Sequence, residues 1–250
     1  MLDLLLAAVG SAITVLLAVG AAAARALTPL ASAVAGAFGV AVVTFSGFGF
    51  LTLLVVFVVV SSLATRFRFE EKQQRHVQEG TAGERGVSNV IAHIVLPTGI
   101  AVAAGFSWIS PTTSAVLFGS ALSFALADTL ASEFGVLSGA ARSILSMKAV
   151  EPGTNGGVSA VGEGFALVGA FGIALVGGAA FALSGTGFGA PAMFFGVVGL
   201  AGFLACQVDS VLGEALENRG LLTKGSTNFL GMLSAIGIAA AFLLLLGPGL

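Results

Sequence analysis

The chain has very little charge. Asp, Glu, Lys and Arg make up 9% of its 250 residues, against roughly 25% in soluble globular domains. That scarcity excludes a protein with much water-exposed mass. A single cysteine, Cys206, excludes an internal disulfide framework and offers no zinc-ligand spacing. The formal net charge is −2 and there is no basic run, so no nucleic-acid partner is indicated. The N-terminal Met-Leu-Asp lacks the positive n-region of a secretory signal, and the first apolar run is expected to be a retained helix. A Walker A loop is also missing. The glycine-rich "GTNGG" at 153–157 is not followed by Gly-Lys-[Ser/Thr], which excludes P-loop chemistry.

What is abundant is apolar and small: 57% of residues are hydrophobic and 36 are glycine, and small residues let membrane helices approach closely. A span needs about 20 apolar residues, and about 17 suffice. Eight segments qualify: 4–24, 27–45, 48–64, 90–107, 113–132, 161–183, 190–208 and 228–247. The expected fold is an all-α integral membrane protein, a polytopic bundle of about eight transmembrane helices forming one membrane domain over residues 1–250.

With eight spans, all ten Lys and Arg fall in connections on one side. The positive-inside rule makes that side cytoplasmic, so in a cell membrane both termini face out. The other connections, "SGFG", "SWISPTTS" and "SGTGFGAP", are short and uncharged. The longest loop, 65–89, reads as a solvated and partly helical connector, with a site-gating surface helix as the alternative.

Two segments echo each other. "ALADTLASEFG" (125–135) and "CQVDSVLGEALENRG" (206–220) both carry Asp-[Ser/Thr]-x-x-x-Glu at the cytoplasmic end of a descending span, pairing Asp128 and Glu133 with Asp209 and Glu214. Each is followed by a Thr-Asn and a Ser-Ala-[Val/Ile]-Gly, in "PGTNGGVSAVG" (152–162) and "KGSTNFLGMLSAIG" (224–237). A third trace, Ser88-Asn89, opens the fourth span. The shared orientation points to a parallel internal repeat, related by an axis along the membrane normal.

Ionisable residues inside spans are costly and usually face the bundle interior or a polar cavity. Residues five apart on a helix diverge by about 140°, so Asp128 and Glu133 meet only if the helix ends or distorts near "SEFG". Four gathered carboxylates need compensation by divalent cations or basic groups. Mg2+ suits such oxygen donors, commonly through one or two carboxylates plus substrate phosphates. "GTNGG" before the sixth span is expected to cradle an anion at a helix N-terminus, with Arg142, Lys148 and Lys224 adding positive charge. Together these parts point to metal-assisted phosphoryl or nucleotidyl transfer. Plainer readings stand beside this one. The acids serve as caps, and "GTNGG" is a simple turn. His93 is a hydrogen-bonded packing residue, His76 is solvated, and Glu163 faces the site or pairs with a base. An ion-coupled transporter and a nonenzymatic membrane assembly factor are the rival functions.

At "ADTLASEFGVLS", "PGTNGGVS" and "DSVLGE" the chain resembles the membrane proteins grouped as domain of unknown function 92, which include plant phytyl-phosphate kinase. The resemblance runs from about residue 84 to 240 and leaves the first three spans, within 1–64, unassigned. It departs from the family pattern where Leu130 stands in place of Trp. It implies transfer of a phosphoryl group from a nucleoside triphosphate, CTP or ATP, to an isoprenyl phosphate lipid, giving the diphosphate. Carried over by motif, Asp128, Ser132, Glu133, Asp209, Ser210 and the loop Gly153, Thr154, Asn155, Gly156 and Gly157 are the site. The echo adds Glu214 as a fourth metal ligand and Asn228 as a substrate contact.

Overall fold

The computed structural model describes residues 2–184 and 191–246. Among the described residues, eight helices are long and apolar enough to cross a membrane. In chain order the elements are α1 (Leu2–Ala23), α2 (Pro29–Ser46), α3 (Phe48–Arg66), the short α4 (Phe69–Gln74), α5 (Val87–Gly105), α6 (Pro111–Gly135), strands β1 (Ala141–Ser143), β2 (Ala149–Val150) and β3 (Gly157–Val158), α7 (Ala160–Leu183), α8 (Pro191–Leu212), a π-helical turn (Gly213–Glu217), and α9 (Lys224–Leu246). The expected bundle of eight spans is therefore present. Most of the "SGTGFGAP" connection lies outside the described residues.

Local chemistry sets the helix starts. Thr28-Pro29 and Ser110-Pro111 each place a hydroxyl cap before a proline at the first helical position. Thr28 Oγ1 accepts from Ala31 N and Ser110 Oγ from Thr113 N, at 3.3 and 3.0 Å. Proline has no N–H to lose there, and the cap satisfies one that is otherwise orphaned. Between α2 and α3 the chain turns at Gly47, whose φ of +80° falls where glycine is the easiest residue to place.

The centre of the bundle is α6, with 83% of its span buried against 11% for α1. It packs against α3, α5, α7, α8 and α9. It is also the least hydropathic span, because it faces other helices instead of lipid. Glycines make the approach possible. A Cβ on Gly202 of α8 would overlap Ser123, and one on Gly169 of α7 would lie 2.8 Å from the Leu126 backbone.

The basic connections gather at one end. Thr28 N donates to Arg85 O and Arg85 N to Ala26 O, both at 3.1 Å. Arg75 Nη1 donates to Val136 O (3.1 Å), and Lys224 pairs with Glu79 (3.1 Å).

Three features here differ from the sequence expectation. The α6–α7 connection holds a small antiparallel sheet of order β2-β1-β3. The 65–89 loop is not simply solvated, since α4 sends Lys72 into the bundle with no solvent exposure. The two echoing segments also end differently: α6 runs as a regular helix to Gly135, whereas α8 passes into the π turn.

Candidate functional site

A polar cavity of about 320 Å3 opens at the end where the basic connections meet. Asp128 enters it from α6, Asp209 and Ser210 from α8, and Lys224 and Asn228 from α9. The whole "GTNGG" loop, Gly153 to Gly157, forms another wall, and Ser132 lies at the rim. Asp128 and Asp209 are each partly buried and lie within electrostatic reach of one another. Asp209 Oδ1 is buried without a hydrogen-bond partner among the described residues. It sits against α9, where a Cβ on Gly231 would come within 2.8 Å of it.

The glycine-rich loop is shaped by two left-handed positions, Gly153 (φ +94°) and Gly156 (φ +75°). Turn hydrogen bonds run from Thr154 N to Glu151 O (3.1 Å) and from Gly157 N to Thr154 O (2.8 Å). The loop does not feed a helix directly, as its sequence suggests. Strand β3 intervenes, and α7 is capped by Ser159, whose Oγ accepts from Gly162 N at 3.0 Å. The cavity is walled by this loop and also by Ser159 and Gly162 at the start of α7, so loop and first helical turn border the same space.

Of the four expected carboxylates, the structure turns only the two aspartates toward a common cavity without prior partners. Glu133 is 7% exposed and fully engaged: Oε2 pairs with Lys72 Nζ at 2.6 Å and Oε1 accepts from Thr65 Oγ1 at 2.6 Å. Arg85 Nη2 lies 4.0 Å from the same carboxylate. Because α6 stays helical through Gly135, the 140° divergence between Asp128 and Glu133 is retained. Glu214 is also diverted, accepting from Ser143 Oγ (2.6 Å) and Leu145 N (3.2 Å). It holds the hairpin of β1 and β2. Glu133 and Glu214 are thus committed to Lys72, Thr65 and the hairpin, while Asp128 and Asp209 line the cavity.

The expected basic residues divide likewise. Lys224 lines the cavity, but Arg142 donates to Met147 O (3.0 Å) on the exposed side of the hairpin. Lys148 is exposed and stands outside the cavity wall.

Several residues were not foreseen. Glu217 lines the cavity and accepts from Asn155 Nδ2 at 3.0 Å, so the π turn ties the loop to α8. A π turn advances the helical phase by less per residue than an α turn, and such turns frequently mark functional sites. Glu79 lines the cavity beside Lys224. Glu163, by contrast, faces the cavity as one of its expected readings had it, and accepts from Gln207 Nε2 at 2.9 Å. His93 packs as expected: Nδ1 meets Asn89 O at 2.8 Å, Nε2 meets Asn228 Nδ2 at 3.3 Å, and the ring lies against Phe57. His76 is exposed at the cavity rim.

Eight apolar helices among the described residues, four of them (α6 to α9) walling a polar, carboxylate-bearing cavity at one end, define a polytopic integral membrane protein. The chain belongs to the family described as integral membrane protein DUF92, whose model matches residues 12–234. That match takes in the second half of α1 and all of α2 and α3, which the quoted motifs do not reach. The chain is 31% identical to an uncharacterized membrane protein of Methanocaldococcus jannaschii over 194 residues, covering 74% of this chain and 73% of the relative. It is 32% identical to an uncharacterized membrane protein of Synechocystis over 205 residues, covering 77% and 74%. No solved structure matches it.

Proposed function

We propose that the protein is a membrane kinase. It passes a phosphoryl group from a nucleoside triphosphate, CTP or ATP, to an isoprenyl monophosphate and yields the diphosphate. The observation that carries this reading is the convergence of Asp128, Asp209, Lys224 and the "GTNGG" loop on one polar cavity at the bundle end. The resemblance of those motifs to phytyl-phosphate kinase supplies the reaction class. By the positive-inside rule the cavity faces the cytoplasm, where nucleotide is available, and both termini face out.

The donor set suits a divalent cation. Two partly buried aspartates share the cavity, and Asp209 Oδ1 has no other partner among the described residues. Asp128 and Asp209 would hold Mg2+, which supplies charge neutralisation for the phosphates. The remaining work falls to the chain. Lys224 offsets phosphate charge, steered by its pairing with Glu79. Loop amides and Thr154 position the donor. Asn228, held by His93, offers a donor or acceptor on the opposite wall. A phosphate oxygen of the acceptor is already a competent nucleophile, so positioning and charge neutralisation suffice and no strong base is needed.

Asp128 lies seven residues from the end of α6, about 10 Å at 1.5 Å per residue. It lies five residues from the helix centre, so what favours the kinase over an ion-coupled transporter is the glycine-rich loop that walls the same cavity. The test uses purified protein in lipid nanodiscs with Mg2+, CTP or ATP, and prenyl monophosphates. The expected product is the prenyl diphosphate. A nucleotidyl-lipid adduct in its place would reassign the chemistry to nucleotidyl transfer.

A further inference from the structure

A second cavity, of about 420 Å3, lies among α1, α2, α3 and α5. Most of its lining is apolar, with Leu17, Leu54 and Val58 typical of its walls. Its α3 wall extends from Leu51 to Arg66, about 22 Å at 1.5 Å per residue, most of the roughly 30 Å hydrocarbon core of a bilayer. The cleft is open toward the lipid because α1 packs chiefly on α2, helped by Gly36 and Gly39, where a Cβ would meet Ala18 and Thr14 at 3.0 and 2.8 Å.

One end of this cleft is polar. Arg66, Arg85, Asn89 and His93 line it. Arg85 is 7% exposed, yet its guanidinium is poorly satisfied. Nε has no partner among the described residues, and Nη1 and Nη2 reach Thr129 and Thr65 hydroxyls only at 3.4 Å. Its nearest carboxylate, Glu133 at 4.0 Å, is already neutralised by Lys72 at 2.6 Å. Asp128 and Glu79 are the more distant anions that act on it.

That polar end also abuts the polar cavity. Thr129 and Glu133, which Arg85 faces, adjoin Asp128 on α6, and Glu133 lines the polar cavity. His93 lines the cleft while its partner Asn228 lines the polar cavity. The pairs His93–Asn228 and Arg85–Glu133 thus join the linings of the two spaces.

We propose that the cleft seats the hydrocarbon tail of a long-chain lipid monophosphate and that Arg85 is the positioning residue for its phosphate. A buried cation with unused donors recognises a phosphate well. An apolar channel leading to it selects an anion with a long tail over a free one. The identity of the head rests on the kinase reading above, but the cleft is tested without turnover.

The probe is a long-chain alkyl monophosphate with a tail diazirine, irradiated with the protein in nanodiscs and no nucleotide. The expected crosslinks fall on Leu17, Leu54 and Val58, saturate, and are competed by unlabelled alkyl monophosphate but weakly by the alkyl alcohol. Val58→Trp fills the cleft and Arg85→Gln removes the charge; each is expected to lower saturable labelling at least tenfold, with partial rescue in Arg85→Lys. Continued burial of Cys206 against a thiol reagent certifies the fold of each variant. If Arg85→Gln misfolds, Val58→Trp and the alcohol competition still decide. Crosslinks that resist competition or scatter over the lipid-facing surface would overturn the cleft assignment, and equal competition by the alcohol would overturn the role of Arg85. Cleft labelling without any phosphoryl transfer would refute the kinase reading alone. Transfer with labelling elsewhere would refute the cleft alone.

Discussion

Lys72 offers a sharp test of the fold, because a loop lysine with no solvent exposure has an energetic consequence that a solvated one lacks. Its ammonium group uses three acceptors: Glu133 Oε2 at 2.6 Å, Ala64 O at 2.8 Å and Thr65 O at 3.2 Å. Lys72→Met keeps most of the stem volume and removes the charge, leaving the Glu133 carboxylate buried. Breaking a buried pair in this way costs about 3–5 kcal/mol. Arg85, 4.0 Å from Glu133, offsets part of that, so the lower end is expected. About 3 kcal/mol corresponds to roughly 6–12 °C in Tm for a chain of this size. Cys206 is the chain's single cysteine and is buried, so a thiol-reactive fluorophore reports unfolding directly. Lys72→Met with Glu133→Leu removes the orphan carboxylate and leaves Arg85 to the more distant Glu79 and Asp128, and about half of the loss is expected to return. A single variant that melts with the parent protein, or a double variant no better than the single, would refute the buried-pair reasoning.

Two further outcomes are expected. Gly156→Ala puts a side chain at φ +75°, with its Cβ against Glu214 Cβ and 2.9 Å from Ser210 O. A left-handed non-glycine residue costs about 1–2 kcal/mol, so the loop shifts, and KM for the nucleotide is expected to rise more than kcat falls; unchanged kinetics would remove the loop from the donor site. In the turn before Arg85, the backbone amides of Glu84 and Ala82, then the Thr81 hydroxyl, pull the Glu84 carboxyl down to about 2. A depressed carboxylate stabilises the turn fully above its unfolded value of about 4.3 and loses that contribution as pH falls through the folded value. Amide exchange at Ala82 should therefore accelerate as pH drops from that range toward 2, after correction for intrinsic rates, and Glu84→Gln should flatten the profile.

Much of the architecture is legible in the sequence because a bilayer fixes span length and positive charge marks one side. Asp128, Asp209, Lys224 and "GTNGG" are legible for a related reason: polar groups near the ends of apolar runs need a polar cavity. What escaped is non-local. Lys72 reads as one charge among many in a hydrophilic loop, and nothing near it announces a partner 61 residues away. The three strands are two or three residues long, too short to carry an alternating pattern. The matching Asp-x-x-x-x-Glu spacings imply matching roles only if both helices keep one geometry. The π turn after Leu212 breaks that equivalence, so Glu214 grips the hairpin and Glu217 takes the place on the cavity wall.

The most direct measurement compares prenyl diphosphate formation by the parent protein, Asp128→Asn and Asp209→Asn in one nanodisc assay with Mg2+ and nucleoside triphosphate, with Cys206 protection confirming that all three are folded. If these carboxylates hold the proposed Mg2+, removing one costs about 2.7–4 kcal/mol of transition-state stabilisation, as loss of one preorganised electrostatic partner typically does, or roughly 10²–10³ in rate. The account predicts transfer by the parent and a loss of at least that size in both variants. Full activity in both would contradict it.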